Sequence, residues 1–347
     1  MSEAPPFWFR PRGALAHALS PLGRVYGGVV ARRMGRPPTA RVDATIVCVG
    51  NLVVGGAGKT PTAIALAELA HSRGRRPGFL SRGYGGSARV PTLVTSDLTA
   101  RTVGDEPLML AERHPTIVSP DRPAGAEALV SEGVDFVVMD DGFQNPSLHK
   151  DLSLLVVDAR RGLGNGLVMP AGPLRAPLAA QVRRADALVV IGRGPDARPA
   201  IRAAARRALP ILRADIAVRN AEAVRGERVI AFAGIGDPEK FFATLDHAGA
   251  EVVERRPFPD HHAFRDEDAA ELLDLAKRER TLLATTEKDA ARMRHARGRV
   301  GELSERVTVL SVAVTFEDEA RALRLLDKAI DRARRRGSGR QTLASGR

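Results

Sequence analysis

The chain contains little cysteine, few aromatic side chains and no long apolar run near its N-terminus. Its 347 residues include a single cysteine, Cys48, which rules out an internal disulfide and favours a reducing compartment. Aromatic residues make up only 4%, so a stacking platform for single-stranded nucleic acid is not expected. Near the N-terminus, the longest stretch without Arg or Lys covers residues 13–23. A spanning helix needs about 20 apolar residues, so this stretch is too short.

Positive charge is abundant, with a net charge of +12 and a sequence pI of about 10.8. Such a chain is attracted to polyanions: nucleic acid, an anionic membrane surface or phosphorylated ligands. No recognisable RNA- or DNA-binding motif accompanies the charge, so no nucleic-acid partner is expected. An arginine-rich solvated surface is the plain alternative. Nothing in the sequence indicates an obligatory protein partner.

The first 34 residues combine apolar and basic side chains. Four apolar residues would share one face of a helix, namely Leu15, Leu19, Leu22 and Val25. The arginines around them could meet lipid phosphates, which favours an amphipathic segment lying on a membrane. An ordinary helix packed on the domain is the alternative. No small-residue cleavage site follows an apolar core, so a secretory signal is not expected.

Short apolar runs alternate with helical patterns through the middle and later parts of the chain. Strands are predicted at residues 44–49, 77–80, 135–139, 152–157, 187–191, 228–233, 281–284 and 307–314. Helices are predicted between them, at residues 62–72, 105–113, 122–132, 237–247, 266–278 and 317–334. This alternation predicts an α/β fold with a mostly parallel sheet flanked by helices.

The stretch VGNLVVGGAGKTP, residues 49–61, ends like a phosphate-binding P-loop. It follows a predicted buried strand and opens a helix, whose N-terminus and backbone amides can face phosphate. Lys59 would reach the β- and γ-phosphates, and Thr60 would offer its hydroxyl to Mg²⁺. The predicted nucleotide-binding residues are Val53, Val54, Gly55, Gly56, Ala57, Gly58, Lys59 and Thr60.

Two valines, at positions 53 and 54, indicate which group of P-loop proteins this loop resembles. The usual pattern has a glycine at position 53, where this chain has Val53. The ending GGAGKT resembles the ParA/MinD-like branch of P-loop proteins, whose fingerprint has a lysine where Val54 stands. Because that lysine reaches a nucleotide across a dimer, its absence argues against a dimer-dependent site.

Two aspartates follow the predicted strand 135–139 directly. Asp140 and Asp141, in the motif DDGFQN, stand where a Walker B acid holds Mg²⁺ directly or through water. Together with Thr60 they are the predicted magnesium ligands. A tight turn at Asp141 and Gly142 is the structural alternative.

Four further motifs carry candidate chemistry. GDEPLML places Asp105 at a helix start, where capping is favoured on sequence alone. FPDHHAF places His261 beside carboxylates, which indicates acid–base chemistry, because zinc would need a second cluster of ligands. GNGLVMPAGPLRAP contains Arg175, either a phosphate clamp or one more surface arginine. TTEKDAARM, residues 285–293, is a nucleotide-adjacent turn or a helix cap.

Together with SRGYGG, these motifs occur in an order that resembles the tetraacyldisaccharide 4'-kinase family, from about residue 7 to about residue 333. The resemblance implies an enzyme dependent on ATP and Mg²⁺. It would phosphorylate the 4'-hydroxyl of an acylated glucosamine disaccharide 1-phosphate in lipid A biosynthesis. The implied location is the cytoplasmic face of the bacterial inner membrane, where an anionic surface and the lipid substrate are the expected partners.

The resemblance also implies roles for residues. Asp105 matches an acid that works with His261 to activate the sugar hydroxyl, which reverses the preference for capping. Arg175 matches an arginine near the transferred phosphate, and Gln144 belongs to the nucleotide-side cluster with the aspartate pair. One departure is visible, since the family often has Glu where this chain has Ala176.

The predicted organisation has four parts. An N-terminal membrane-associated segment, residues 1–34, precedes a P-loop kinase core, residues 35–195. A smaller α/β lobe follows at residues 196–334, after the Gly- and Pro-rich stretch 192–199, and a basic tail at 335–347 is expected to be disordered.

Two other functions remain open on sequence alone. A ParA/MinD-like switch would hydrolyse nucleotide to change its affinity for a partner, although the FPDHHAF motif then has no role. A soluble small-molecule kinase would use the N-terminus only for structure. A non-enzymatic nucleic-acid-binding protein is the least favoured of the alternative functions.

Overall fold

The computed structural model describes the backbone of residues 4–344 and the side chains of residues 4–336. This part of the chain forms two sheets, one of nine strands and one of four. The strands of the larger sheet are β1 (Thr45–Asn51), β2 (Pro77–Ser81), β3 (Thr92–Leu93), β4 (Thr116–Val118), β5 (Phe136–Asp140), β6 (Leu152–Asp158), β7 (Ala187–Ile191), β8 (Ile211–Val218) and β13 (Val312–Phe316). The strands of the smaller sheet are β9 (Arg228–Ala233), β10 (Glu251–Pro257), β11 (Leu282–Thr286) and β12 (Thr308–Leu310).

The larger sheet runs in the order β13-β8-β7-β6-β1-β5-β2-β4-β3, and only its two outermost pairs are antiparallel. β1 lies between β5 and β6, with Val49 opposite Asp140 and Asn51 opposite Val156. The carboxyl ends of these parallel strands therefore meet at one edge, which is where ligands bind in open α/β sheets. The phosphate loop and the aspartate pair follow β1 and β5 at that edge.

Helices cover both sheets. They are α1 (Ala14–Met34), α2 (Lys59–Ser72), α3 (Ala100–Val103), α4 (Asp105–Ala111), α5 (Arg122–Ser131), α6 (Leu178–Val182), α7 (Arg198–Ala205), α8 (Pro238–His247), α9 (Asp266–Glu279), α10 (Glu287–Met293), α11 (Gly298–Arg306) and α12 (Glu319–Ala344). Two short 3₁₀ helices cover Pro6–Phe9 and Ala221–Ala223.

Alternate side chains of β1 enter two different cores. Ile46 and Cys48 pack with α5 and α7, whereas Val47 and Val49 pack with α2 and α12. Because both faces of the strand are covered, its sequence is a continuous apolar run with no polar alternation. The predicted mostly parallel sheet with helices on both faces is confirmed.

The smaller sheet runs in the order β10-β9-β11-β12, and its pairs are parallel. Phe242 and Leu245 of α8 pack on one face of it. Leu272 of α9 and Leu303 of α11 pack on the other face. The chain therefore carries a second, smaller α/β unit, as the sequence predicts.

The chain crosses between the two sheets at β8 and β13, which pair antiparallel. The predicted strand at 307–314 is in fact two strands, since β12 pairs within the smaller sheet and β13 within the larger. Ser311 lies between them, and its backbone is bonded to Arg219 and to the side chain of Asn220. Because β8 belongs to the larger sheet, the chain leaves that sheet well beyond the boundary predicted at residue 195.

Both ends of the described chain pack on the larger sheet unit. A Cβ at Gly23 of α1 would lie 2.6 Å from the carbonyl oxygen of Val168, so this helix contacts the 164–177 loop closely. At the other end, α12 continues to Ala344, so residues 335–344 are helical where disorder was predicted. Arg336 explains the start of this extension, because its Nη2 donates to the carbonyl of Ala44 at 2.8 Å. Residues 345–347 lie outside the described residues.

Candidate active site

The phosphate loop spans residues 52–58, between the end of β1 and the start of α2. Gly55 and Gly58 have φ angles of 105° and 83°, a region that side-chain-bearing residues rarely adopt. The side-chain amide of Asn51, a buried residue, donates from Nδ2 to the carbonyl of Gly55 at 3.0 Å and fixes the turn. A Cβ at Gly56 would meet no atom within 4 Å, so this side of the loop is open.

The backbone groups of Val53 and Val54 bond to another segment of the protein. The Val54 amide donates to the carbonyl of Pro173 at 2.9 Å, and the Val53 carbonyl accepts from Arg175 Nε at 3.2 Å. These backbone groups therefore join the loop to the 164–177 segment. Of the predicted nucleotide-binding residues, the ones free to surround phosphate begin at Gly55.

Asp140 is a buried carboxylate with an unsatisfied oxygen. Its Oδ2 accepts from Thr60 Oγ1 at 3.0 Å, while its Oδ1 is buried without a hydrogen-bond partner. Burial, with a contribution from the Glu106 carboxylate, raises the pKa of Asp140 to about 7. A divalent cation would satisfy the free oxygen and offset the burial of the negative charge. The hydroxyl and carboxylate therefore fit Mg²⁺.

Asp141 makes a different set of contacts from its neighbour. Arg175 approaches both of its oxygens, with Nη2–Oδ2 and Nη1–Oδ1 distances of 3.0 Å. Lys59 Nζ lies 4.0 Å from Oδ2. Burial opposes ionisation, but Lys59 and Arg175 outweigh it and lower the pKa of Asp141. The side-chain amide of Gln144 donates to the carbonyl of Asn51, directly before the phosphate loop, at 3.5 Å and to Gln181 Oε1 at 3.3 Å.

Asp105 and His261 meet across the two sheet units. Asp105 is the first residue of α4, and its Oδ2 lies 3.1 Å from His261 Nδ1. Its Oδ1 accepts from the amide of Glu106 at 2.9 Å, so the carboxylate also serves the helix start. His261 has a φ angle of 61°, and its amide donates to the carbonyl of Gly234 at 3.0 Å. The structure thus brings together two residues that lie 156 positions apart.

The electrostatics of this pair favour a carboxylate beside a basic imidazole. The bond to Asp105, opposed by burial, raises the pKa of His261 above its ordinary value. Burial opposes ionisation of Asp105. The bond to His261 and the positive charges of Lys288 and Arg292 outweigh it, and the pKa of Asp105 falls far below its usual range. Asp105 is therefore stabilised as a carboxylate, and His261 is the member of the pair whose pKa is raised.

Two residues at the site were not assigned a role from the sequence. Lys288 Nζ lies 2.5 Å from Glu106 Oε1, and Arg292 Nη2 lies 2.7 Å from Asp105 Oδ2. Both come from α10, in the motif TTEKDAARM. The motif was visible, but its partners in α4 could not be identified without the contact between the two units.

His262, the second histidine of FPDHHAF, is turned away from Asp105. Its Nε2 lies 2.9 Å from Asp268 Oδ2, and its ring stacks on Phe258 with centroids 4.8 Å apart. It therefore stabilises the smaller unit.

A glycine-rich loop that opens a helix, with aspartates at the end of the adjacent strand, is the arrangement of P-loop nucleotide-dependent enzymes. Within that class, the family model for tetraacyldisaccharide-1-P 4'-kinase matches residues 15–331, and the chain belongs to this family. The resemblance seen in the motifs is thereby confirmed.

Similar proteins extend over nearly the whole chain. A tetraacyldisaccharide 4'-kinase from Agrobacterium fabrum is 47% identical over 337 residues, covering 97% of each chain. One from Methylobacterium nodulans is 52% identical over 327 residues, covering 92% of this chain and 94% of the relative. The crystal structure of LpxK from Aquifex aeolicus in complex with ATP superposes with a TM-score of 0.71 at 26% identity. That match covers 91% of this chain and 99% of the Aquifex chain.

These matches confirm the predicted fold class and the predicted class of enzyme, an ATP-dependent kinase of lipid A biosynthesis. They do not assign individual residues, so the roles of Lys59, Asp105, Arg175 and His261 remain predictions.

Proposed function

We propose that this chain transfers the γ-phosphoryl group of ATP to the 4'-hydroxyl of a tetraacyl glucosamine disaccharide 1-phosphate. The contact between Asp105 and His261 carries this proposal beyond the family name. A kinase with an alcohol acceptor needs a group that orients the hydroxyl and takes its proton. A switch that only hydrolyses nucleotide would leave this pair, built from two units of the fold, without a purpose.

The nucleotide side of the site is assigned to the loop and the aspartates. The amides from Gly55 to Gly58 and the N-terminus of α2 bind phosphate oxygens, and Lys59 binds the β- and γ-phosphates. Thr60 and Asp140 are the residues that would hold Mg²⁺, because Asp140 has a buried oxygen without a hydrogen-bond partner, whereas Arg175 approaches both oxygens of Asp141. Mg²⁺ supplies neutralisation of the charge on the β- and γ-phosphate oxygens.

Arg175 is assigned to the charge that develops on the transferred group. Its guanidinium is held beside Lys59 by Asp141 and by the carbonyl of Val53. A fixed, pre-oriented cation stabilises a transition state without reorganising during the reaction. Asp141 is thus a positioning partner for Arg175, which differs from the direct ligand role of Asp140.

The acceptor side is assigned to Asp105 and His261, which together form the dyad. His261 accepts the proton of the 4'-hydroxyl at Nε2 as the sugar oxygen forms its bond to the γ-phosphorus and the bond to the β-phosphate oxygen breaks. Asp105 holds Nδ1, fixes the orientation of the ring and stabilises the imidazolium that results. The half-exposed ring and the buried carboxylate suit these two roles.

We further infer that α1 lies on the anionic surface of the cytoplasmic face of the inner membrane, where the lipid substrate resides. Four large apolar side chains of this helix are more than half exposed, namely Leu15 at 55%, Leu22 at 59%, Val25 at 69% and Val29 at 64%. Arg24, Arg32 and Arg33 are exposed on the same helix and suit lipid phosphates. Among the described residues, no helix has the length and apolarity needed to cross a membrane.

The transfer reaction is tested with purified protein, labelled ATP, Mg²⁺ and tetraacyl disaccharide 1-phosphate in mixed micelles. The product expected is a bis-phosphorylated lipid that carries the label at the 4'-position. Hydrolysis of ATP with no labelled lipid would contradict the proposal and favour a switch ATPase.

The membrane role is tested by sedimentation with vesicles that contain anionic lipid. Val25→Asp combined with Val29→Asp should reduce the bound fraction, because two charges enter the apolar face. Val90→Asp is the matched control, since Val90 is 67% exposed outside α1. Equal binding of the α1 variant and the control would contradict this assignment.

A further inference from the structure

Arg292 is a buried cation that has no assigned role. It lies on α10, which packs against α4, and its side chain is only 7% exposed. Its hydrogen-bond partners belong to the site or to its immediate support: Asp105, Gly234 and Asp289. A buried guanidinium needs such a complete set of partners, because an unpaired buried charge is costly.

Arg292 contacts Asp105 directly and is linked to His261 through the carbonyl of Gly234. Its Nε and Nη2 lie 3.0 and 2.7 Å from Asp105 Oδ2. Its Nη1 donates to the carbonyl of Gly234 at 2.7 Å. That same carbonyl accepts the amide of His261 at 3.0 Å. One planar group thus fixes the carboxylate that holds the imidazole and the peptide that holds the histidine backbone.

We propose that Arg292 is a positioning residue that aligns Asp105 and His261 for proton transfer. The inference rests on the proposed roles of those two residues. Asp105 Oδ2 already faces two nitrogens of Arg292 and one of His261, and Oδ1 accepts from Glu106. With these contacts made, Asp105 acts on the substrate only through the imidazole.

Arg292 is itself held in place. Its Nη1 lies 2.6 Å from Asp289 Oδ1, and Asp289 accepts from the amide of Gly234 and from the hydroxyl of Thr286. Only a guanidinium has enough donors in a fixed plane to join Asp105, Gly234 and Asp289 at once. A lysine would supply the charge but not the alignment.

The charged groups around the dyad determine in which direction the pKa of His261 moves when Arg292 is replaced. Lys288 and Arg292 face it from α10, Glu106 from α4 and Asp260 from the loop of His261, with the ring of Tyr84 5.9 Å from the imidazole. Asp105 and Asp260 raise the pKa of His261, whereas the positive charge of Arg292 lowers it. Removing that charge alone would raise the pKa of the imidazole further, whereas loosening its bond to Asp105, the main cause of the raised pKa, would lower it.

The test compares Arg292→Gln and Arg292→Lys with Arg294→Gln in the lipid transfer assay. Arg294 pairs with Glu112 at the far end of the same α10–α4 contact, so this control weakens the docking but leaves Asp105 untouched. We expect kcat to fall about 10²-fold in Arg292→Gln, the loss typical of a misplaced reacting group, with KM for ATP unchanged. Arg292→Lys should recover part of kcat, and Arg294→Gln should stay close to wild type.

A second readout separates positioning from mere support of the fold. In Arg292→Gln, the acid limb of the kcat–pH profile should move to lower pH, because a misaligned Asp105 no longer raises the pKa of His261; loss of the positive charge alone would move it to higher pH. Combining it with Asp105→Asn should lower kcat no further than Asp105→Asn alone, because the two residues act as a unit. An acid limb that stays in place or moves to higher pH in Arg292→Gln, or additive losses in the double variant, would overturn the inference.

Failure of this inference is distinguishable from failure of the proposed roles. If Asp105→Asn loses turnover while both Arg292 variants keep it, only the positioning role of Arg292 is wrong. If Asp105→Asn keeps turnover, the dyad itself is wrong and Arg292 has nothing to position.

Discussion

The two halves of the candidate site are built in different ways. The nucleotide half comes from the ends of two neighbouring strands of one sheet, β1 and β5, and from the helix that follows β1. The acceptor half joins α4 of the larger unit to the FPDHHAF loop and α10 of the smaller one. A change in how the two units pack would alter the second half and leave the first intact.

The comparison teaches what each half contributes. Positive charge and backbone amides gather around the phosphate loop, where binding is the main task. The acceptor half instead contains a carboxylate and an imidazole whose pKa values are driven apart, which is typical of acid–base chemistry. Changes in the two halves should therefore affect different kinetic constants.

The largest effect is expected from the nucleotide half. Lys59→Met removes the cation that binds the β- and γ-phosphates, so kcat/KM should fall about 10³-fold and ATP affinity should weaken as well. Steady-state kinetics with ATP varied, together with calorimetric titration of ATP, would measure both. Loss of kcat with unchanged ATP affinity would erase the distinction between the halves.

Asp105→Asn should affect turnover alone. Loss of the carboxylate removes the partner that orients His261 and raises its pKa. The value of kcat should therefore fall about 10²-fold. ATP affinity should not change, because the phosphate loop is separate from this pair. Calorimetric titration of ATP into the variant, beside Lys59→Met, provides the contrast; weakened ATP binding in Asp105→Asn would contradict it.

Within the nucleotide half, the two adjacent aspartates should differ. Asp140→Asn keeps one oxygen for the metal but loses the charge, so half-maximal activity should need about tenfold more Mg²⁺. Asp141→Asn should instead lower kcat by loosening Arg175, with the Mg²⁺ requirement unchanged. Activity measured against Mg²⁺ concentration distinguishes them, and identical Mg²⁺ curves for the two variants would refute the difference.

The smallest effect is expected where the smaller unit meets the larger away from the dyad. Lys240 of α8 lies 2.7 Å from Asp158 at the end of β6, and the lysine is partly exposed. Lys240→Met should cost about 1 kcal/mol of unfolding free energy or less, because solvent screens such a pair. Urea unfolding would measure it. A loss of several kcal/mol would show that this contact, and not α10, dominates the docking of the units.

The proximity of the phosphate loop to the Asp140–Asp141 pair could be predicted because its sequence signals are local. The phosphate loop and the Asp140–Asp141 pair each follow an apolar strand, and parallel topology then brings them together. For the acceptor half, the family resemblance supplied the pairing of Asp105 with His261. On sequence alone, capping was the more ordinary role for Asp105, and that carboxylate does accept an amide at the helix start.

The remaining differences have physical causes. The apolar run at 307–314 looks like one strand, but a break at Ser311 divides it between two sheets, and only the three-dimensional path reveals this. β10, Glu251–Pro257, was not predicted from the sequence, because it is an edge strand with charged residues and no apolar run. Lys288 and Arg292 belong to a visible motif, yet their roles depend on partners 182 and 187 residues away.

The pH dependence of kcat in the lipid transfer assay, measured for wild type and Asp105→Asn, tests the central claim most directly. His261 must be neutral to accept a proton, so wild-type activity should fall as pH drops through the raised pKa of this imidazole. The carboxylate of Asp105 raises that pKa. The residual activity of Asp105→Asn should therefore have its acid limb at a lower pH than that of wild type. An acid limb at the same pH in both proteins would contradict the account.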